Sequence, residues 1–255
     1  MTQFRYSTYF LESPDDFCRR LLSHGELPWP PLARLHEQIA LFFAGRESKG
    51  DCRANRQVLY GEDASFLEGS YHIRETAVLK NDFVDSELAI FVGAGTLLES
   101  GATIKNHTIV ADGCEIRQGA YLRGDTYIGA HSVVGHTTEI KSSVLMKHAE
   151  AGHFAYIGDS IVGSYVNLGA GTKISNLQFR TLEDKKREHF PEIPFVHENR
   201  KMEPGLSKFG AVIGDGCETG CNSVLCPFVF LEPECWIMPN FCVRKGVYRR
   251  GTILR

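Results

Sequence analysis

A chain of 255 residues with 43% hydrophobic side chains has material for one elongated domain, or for a domain with an accessory segment. Its formal net charge of -3 supplies no basic field, which sets nucleic acid and anionic membranes aside as partners. No stretch approaches the apolar run that spans a bilayer, and the first residues lack a basic and then apolar leader, so a soluble cytoplasmic protein is expected.

Residues 1–70 carry no repeat. Within them Pro30 and Pro31 open a stretch in which Leu32, Leu35, Ile39 and Phe42 share a face, which predicts a small helical accessory. The remainder, 71–255, is dominated by a period of six. Stepping from Val92 gives Leu98, Ile104, Val110, Ile116, Leu122, Ile128, Val134, Ile140 and Met146 without a miss. Four residues after each stands a second column, Thr96, Ala102, Thr108, Cys114, Ala120, Thr126, Ser132, Thr138, Val144 and Glu150, small in all but the last case. A helix repeats every three or four residues and a strand every two, so a six-residue period reads as a short strand plus a turn. Glycines directly after the aliphatic residue, such as Gly93, Gly129, Gly135 and Gly163, suit turns that need positive φ or close approach.

The phase slips between Met146 and Ile157, and the ladder resumes at Ile157, Val162, Leu168 and Ile174. Then 178–208 is charged and without period, with Lys185, Lys186, Arg187, Arg200 and Lys201 among acids; such a loop is expected to project sideways, towards a neighbouring subunit. A last ladder runs through Ile213, Thr219, Leu225, Leu231, Ile237 and Val243. The eight cysteines form no Cys-x2-Cys pair, and Cys114, Cys217 and Cys235 fall in the small column, where a free thiol packs well. Cys217, Cys221 and Cys226 are therefore not read as ligands, and no metal is expected.

The segment 123–176 contains Glu-Ile-Lys at 139–141, Ala-Gly-His-x-x-Tyr-Ile-Gly-Asp at 151–159 and Asn-Leu-Gly-Ala-Gly-Thr at 167–172. With these words it resembles the acetyltransferase half of bifunctional glucosamine-1-phosphate acetyltransferase/N-acetylglucosamine-1-phosphate uridyltransferase. Gly-Thr-Lys-x-x-Asn-Leu from Gly171 and Phe-Gly-Ala-Val-Ile-Gly-Asp from Phe209 make it more similar still to the archaeal sugar-1-phosphate nucleotidylyltransferase-acetyltransferases. The resemblance spans about 75–250, without a nucleotidyltransferase domain. It implies an all-β fold, a left-handed parallel β-helix of hexapeptide repeats with three units per coil. The left hand comes from the resemblance alone, because it runs against the right-handed crossover preference. A homotrimer, acetyl-CoA as co-substrate and an amino-sugar phosphate or nucleotide amino sugar as acceptor are implied with it.

By the same resemblance His153 is the general base that takes a proton from the sugar amine, a task suited to an imidazole. Asn176 orients the amine or the thioester carbonyl. Arg123 and Lys141 contact the sugar phosphate, Glu139 a sugar hydroxyl, and Tyr156 and Asn167 the sugar. Lys185 or Lys186 reaches a neighbour's site, while Ala170 and Cys221 match acetyl-CoA or neighbour-site positions. Lys245, with Arg249, Arg250 and Arg255, lies where CoA phosphates are expected. Two positions depart from the bacterial pattern: Leu177 replaces a tyrosine and Cys221 a serine.

Three other functions fit parts of the chain. One is a non-catalytic β-helix that binds a sugar nucleotide or regulates a partner. Retained pyrophosphorylase chemistry would need an α/β nucleotide-binding domain with a phosphate loop, for which the first 70 residues are too short. The spacing of His131 and His136 is similar to that in γ-class carbonic anhydrases, but zinc needs a third ligand, and His107 should face another side of the prism.

Overall fold

The computed structural model describes residues 5–22, 27–49, 69–197, 199–202 and 204–255. Cys52, the first four residues and the side chain of Arg200 lie outside the described residues. Strands of two to four residues alternate with tight corners and stack into a parallel β-helix with three long faces. Sheet I contains Tyr121–Leu122, Glu139–Lys141, Tyr156–Gly158 and Lys173–Ile174; sheet II contains Val133–His136, Glu150–His153 and Asn167–Leu168; sheet III contains Thr126–Ile128, Ser143–Leu145 and Ile161–Val162. The chain visits III, II and I in turn, so a regular coil is three hexapeptides, and no described helix is long and apolar enough to cross a membrane.

The period of six is a packing rule. Each strand points one aliphatic residue into the prism, and Val92, Leu98, Ile104, Val110, Ile116, Leu122, Ile128, Val134 and Ile140 have no exposed surface at all. Burying each such side chain is worth about 1.5–3 kcal/mol, repeated along the axis. The small column fills the space beneath the corners, where Thr138 Oγ1 donates to the Ala151 carbonyl at 2.9 Å and Ser132 Oγ to that of Met146 at 2.8 Å. Cys114, Cys217 and Cys235 are buried in the same role, and no described cysteine is in a disulfide.

Two details of the ladder differ from the sequence expectation. Met146 is not a rung: Leu145 takes the inward place, while Met146 points out of the prism into a second core. The slip therefore lies earlier. Leu122 pairs with Ile140, 18 residues on, whereas Ile128 pairs with Leu145, 17 residues on. The lost residue is at the corner between sheets I and III, and the shortening is kept between Ile157 and Val162. Ser142 and Asp159 occupy these tightened corners with φ of 46° and 48°. Periodicity could not separate adjacent Leu145 and Met146, both aliphatic. His153, at a corner between sheets II and I, is not at the slip.

The glycines after the rung residues are not the positive-φ positions. They serve close approach: a Cβ on Gly129 would stand 2.6 Å from the Lys147 nitrogen in the next coil, and one on Gly163 2.8 Å from that of Asp215. The left-handed residues come two positions later, and many are not glycine, including His131, His148, Phe154, Asp125 and Asn222.

Sheet III is covered on its outer face. Helices α1 (Tyr6–Tyr9), α2 (Asp16–Leu22), α3 (Pro30–Ala33) and α4 (Leu35–Phe43) pack there, with Leu21, Leu22, Leu35 and Ile39 buried against Ile109, Val144, Met146 and Ile161. The expected single helical face is thus split, with Pro30 and Pro31 opening α3 and Leu35 starting α4. Phe17 stacks on Tyr127 at 4.3 Å between centroids, and the Tyr127 hydroxyl donates to Asp15 at 2.7 Å. The Asp215 carboxylate accepts from the Leu11, Glu12 and Ser164 amides at 2.6–2.8 Å, pinning the helical arm to the β-helix.

The segment 178–208 does not project throughout, contrary to expectation. Its first part does, with Phe179 fully exposed and a short helix α5 (Leu182–Lys186). Its second part folds back: Ile193 and Phe195 are buried, Phe195 against Trp29, Phe228 and Phe230, and Phe195–His197 pairs with Arg200–Met202 as a hairpin. The charge count concealed these apolar anchors.

Candidate active site

The outer side of sheet I carries polar residues because inward and outward positions alternate along each strand. Glu139 and Tyr156 are register partners, as are Lys141 and Gly158, and Arg123 follows Leu122, the partner of Ile140. Arg123, Glu139, Lys141 and Tyr156 thus occupy one face on three adjacent strands. Arg123 Nη1 donates to Glu139 Oε1 at 2.6 Å, and this bond holds the guanidinium pKa above its ordinary value. Lys141 Nζ lies 4.0 Å from an Asp159 carboxylate oxygen.

Asn176 closes the group from the end of sheet I. It is nearly buried; its Nδ2 donates to Asp159, and the Tyr156 hydroxyl donates to its Oδ1 at 3.4 Å. Gly158 leaves the room for this, since a Cβ there would meet the Tyr156 hydroxyl at 2.7 Å and Asn176 Nδ2 at 2.9 Å. Burial, then Glu139 and Asp159, push the Tyr156 phenol above its usual pKa, so it remains a donor at neutral pH. Two cations and two carboxylates balance one another here. The Arg123–Glu139 pair is substantially exposed, at 41% and 34%, and a pair of that kind is worth about 0–1 kcal/mol.

His153 is exposed at the border of this face, as the last residue of Glu150–His153, in register with His136. Its carbonyl accepts from the Gly171 amide at 3.0 Å, Ala170 accepts from Asn222 at 2.8 Å and Cys221 from Asn240 at 2.8 Å. His153, Ala170 and Cys221 thus belong to one column of corners, with the ring of Phe154 beside them and Lys173 Nζ donating to the Phe154 carbonyl at 2.7 Å. Asn167 is not brought into this group within one chain. It lies on sheet II, where its Nδ2 donates to Glu218 at 2.8 Å. Lys185 and Lys186 are exposed in the last turn of α5.

Lys245 is exposed and bonded to the folded-back loop. Its Nζ donates to the Pro194 carbonyl at 2.7 Å, and partial burial lowers its pKa, so it ties down the folded-back loop. His131 and His136 also fail to converge: His131 stacks on His148 at 5.1 Å, while His136 Nδ1 bonds the Gln118 carbonyl at 2.9 Å at another corner. Residue type alone does not single out Asp159. It stands inside the Ala-Gly-His-x-x-Tyr-Ile-Gly-Asp word, and its position two residues past a rung was the available signal.

Fold and face together define a hexapeptide-repeat β-helix protein with a polar site on one flank. A family model described as the GMPPB C-terminal domain matches residues 104–222. The bifunctional sugar-1-phosphate nucleotidylyltransferase/acetyltransferase of Sulfurisphaera tokodaii is 31% identical over 168 residues, 59% of this chain and 40% of that one. Bifunctional protein GlmU of Methanocaldococcus jannaschii is 30% identical over 141 residues, covering 53% and 32%, and that of Nostoc sp. is 27% identical over 197 residues, covering 74% and 36%. The homologues of this chain are bifunctional GlmU and sugar-1-phosphate nucleotidylyltransferase/acetyltransferase proteins, matched at their C-terminal region. The chain spans about a third to two fifths of the length of these curated relatives. The solved UDP-N-acetylglucosamine acyltransferase of Francisella novicida aligns over 60% of this chain and 54% of that one at a TM-score of 0.25 and 13% identity, too loose a likeness to carry inference.

Proposed function

We propose that the chain is an acyltransferase that moves the acetyl group of acetyl-CoA onto the amine of an amino-sugar phosphate such as glucosamine-1-phosphate. The observation that carries this reading is the meeting of Arg123, Lys141, Tyr156 and Asn176 on one face of sheet I, bordered by the exposed His153. In this reading Arg123 and Lys141 hold the phosphate, Arg123 exchanging Glu139 for a phosphate oxygen. Glu139, once released, accepts from a sugar hydroxyl, and Tyr156 donates to another. His153 takes the amine proton as the nitrogen attacks the thioester carbonyl; the carbon–sulfur bond breaks, and the thiolate leaves and is protonated. Asn167, Lys185, Lys186, Ala170 and Cys221, which lie off this face, act across a subunit boundary in a homotrimer, beside acetyl-CoA.

The test is release of free thiol from acetyl-CoA with glucosamine-1-phosphate, galactosamine-1-phosphate and a nucleotide-linked amino sugar in turn. His153→Ala should lower kcat by about 100-fold to 10,000-fold, the usual range for a general base. Lys141→Ala should act mainly on KM for the sugar phosphate. Turnover on none of the acceptors, with sugar-nucleotide binding intact, would replace this reading by a non-catalytic binding module.

A further inference from the structure

Away from that face, at a corner between sheets I and III, two imidazoles and a carboxylate meet. His107 and Asp125 stand one coil apart in the same left-handed corner position, with φ of 53° and 48°. Backbone bonds fix both: the His107 amide donates to the Leu88 carbonyl at 3.0 Å, its carbonyl accepts from Thr126 at 3.1 Å, and the Asp125 carbonyl accepts from Ser143 at 3.1 Å. The third group arrives from a different part of the chain. His36 sits on α4, which is anchored by buried Leu35 and Ile39, and turns its ring out of that core onto the corner. His36 Nδ1 is 2.7 Å from Asp125 Oδ1, and the two imidazole centroids are 4.3 Å apart.

From this convergence we infer that His36, His107 and Asp125 form a binding site for a first-row divalent transition ion, with zinc its most suitable occupant, clasping the helical cover to the β-helix. One donor atom from each of the three residues lies within 4.8 Å of the other two. A tetrahedral zinc ion with bonds of about 2.0–2.2 Å separates its donors by about 3.4 Å, so donors already within 4.8 Å of one another have a short distance to close. Two imidazoles with one carboxylate select zinc and its neighbours over calcium or magnesium, which prefer oxygen ligands. Three protein donors leave a fourth position for water on the exposed side, where the His36 side chain is 61% accessible. The donors lie far apart in sequence, at 36, 107 and 125, so no ligand-spacing motif announces them.

The test uses the untagged full chain in zinc titration followed by calorimetry. One equivalent should bind saturably, and affinity should fall at least tenfold in each of His36→Ala, His107→Ala and Asp125→Asn. His131→Ala, which alters the other histidine stack, should leave binding unchanged. Zinc should also raise the melting temperature of the native chain and slow amide exchange in α4, and do neither in His36→Ala. His36 is exposed, so its removal leaves the fold intact and the comparison readable. Absence of saturable zinc binding, equal binding by His36→Ala, or binding that follows His131 would each overturn the site.

Discussion

The carbonyl of Gly152 occupies the space where a side chain on Gly135 would begin: an ideal Cβ at Gly135 falls 1.7 Å from that oxygen and 2.1 Å from its carbon. This close approach lets the strand ending at His153 lie in register against the one ending at His136. Gly135→Ala must push two coils apart, and it is expected to destabilise by about 3 kcal/mol or more, since backbone cannot yield as a flexible side chain does. Gly152→Ala meets nothing within 4 Å and should change stability by less than about 0.5 kcal/mol. Urea unfolding of the two variants checks the contrast, and equal values would remove the explanation.

Asp159 is expected to be a positioning residue, through the Asn176 amide and Lys141. Asp159→Gly removes the carboxylate while suiting a φ of 48°, so the fold should survive. If the proposed acetyl transfer holds, kcat/KM should fall by about 10- to 100-fold, as small displacements of aligned groups do. Asp159→Asn, which keeps an acceptor for Asn176 and loses only the charge, should recover part of the loss. In both variants the Tyr156 phenol, now missing one of the carboxylates that raise its pKa, should titrate at lower pH in an ultraviolet absorbance titration.

Phe17 couples the helical cover to sheet III through Tyr127. Phe17→Ala should cost about 3–5 kcal/mol, and Phe17→Leu less than about 1.5 kcal/mol. Hydrogen exchange should show the loss concentrated in α2 and α4, with the amide of Ile140 inside the prism still protected.

The helix in the projecting part of 178–208 is held by a capping box between Thr181 and Asp184, with His189 beside it. The His189 hydrogen bond first, then Thr181, lower the Asp184 carboxyl to about 2. A depressed acid stabilises the folded form above the ordinary carboxylate value and loses that effect as pH falls through its own. The cap should therefore persist at pH 4 and fail as pH approaches about 2. A carboxyl carbon titration by NMR reads the midpoint directly. His189→Ala should raise it, and because the group is exposed, salt should do so too.

Much of the architecture was legible because one physical constraint, an aliphatic residue at every turn of a narrow prism, writes itself into sequence as a period. Val92 through Ile140 could hardly be read otherwise. Where two aliphatic residues adjoin, as at Leu145 and Met146, the same signal loses its phase and sets the slip one corner late. The covered face was not legible at all: Tyr127, Phe228 and Phe230 point outward in a pattern that predicts solvent, and only the tertiary contact with Phe17, Trp29 and Phe195 explains them. At the candidate site the motif words contain Lys141, Tyr156 and Asn176, and the family resemblance adds Arg123. Asp159 is not legible in this way, because a corner acid has the look of a turn residue and only its partners Asn176 and Lys141 distinguish it.

The first three strands of the β-helix, Ser70–His72, Ala77–Val78 and Phe83–Asp85, run antiparallel to their neighbours Thr103–Lys105, Leu97–Leu98 and Ile90–Val92. A stack of identical parallel rungs would offer its last rung as a template for another copy, the geometry on which fibrils grow. Reversing the chain direction on all three faces at once replaces that parallel hydrogen-bond pattern with an antiparallel one. The same turnabout that begins the solenoid therefore breaks the run of like rungs at this end of the described strands.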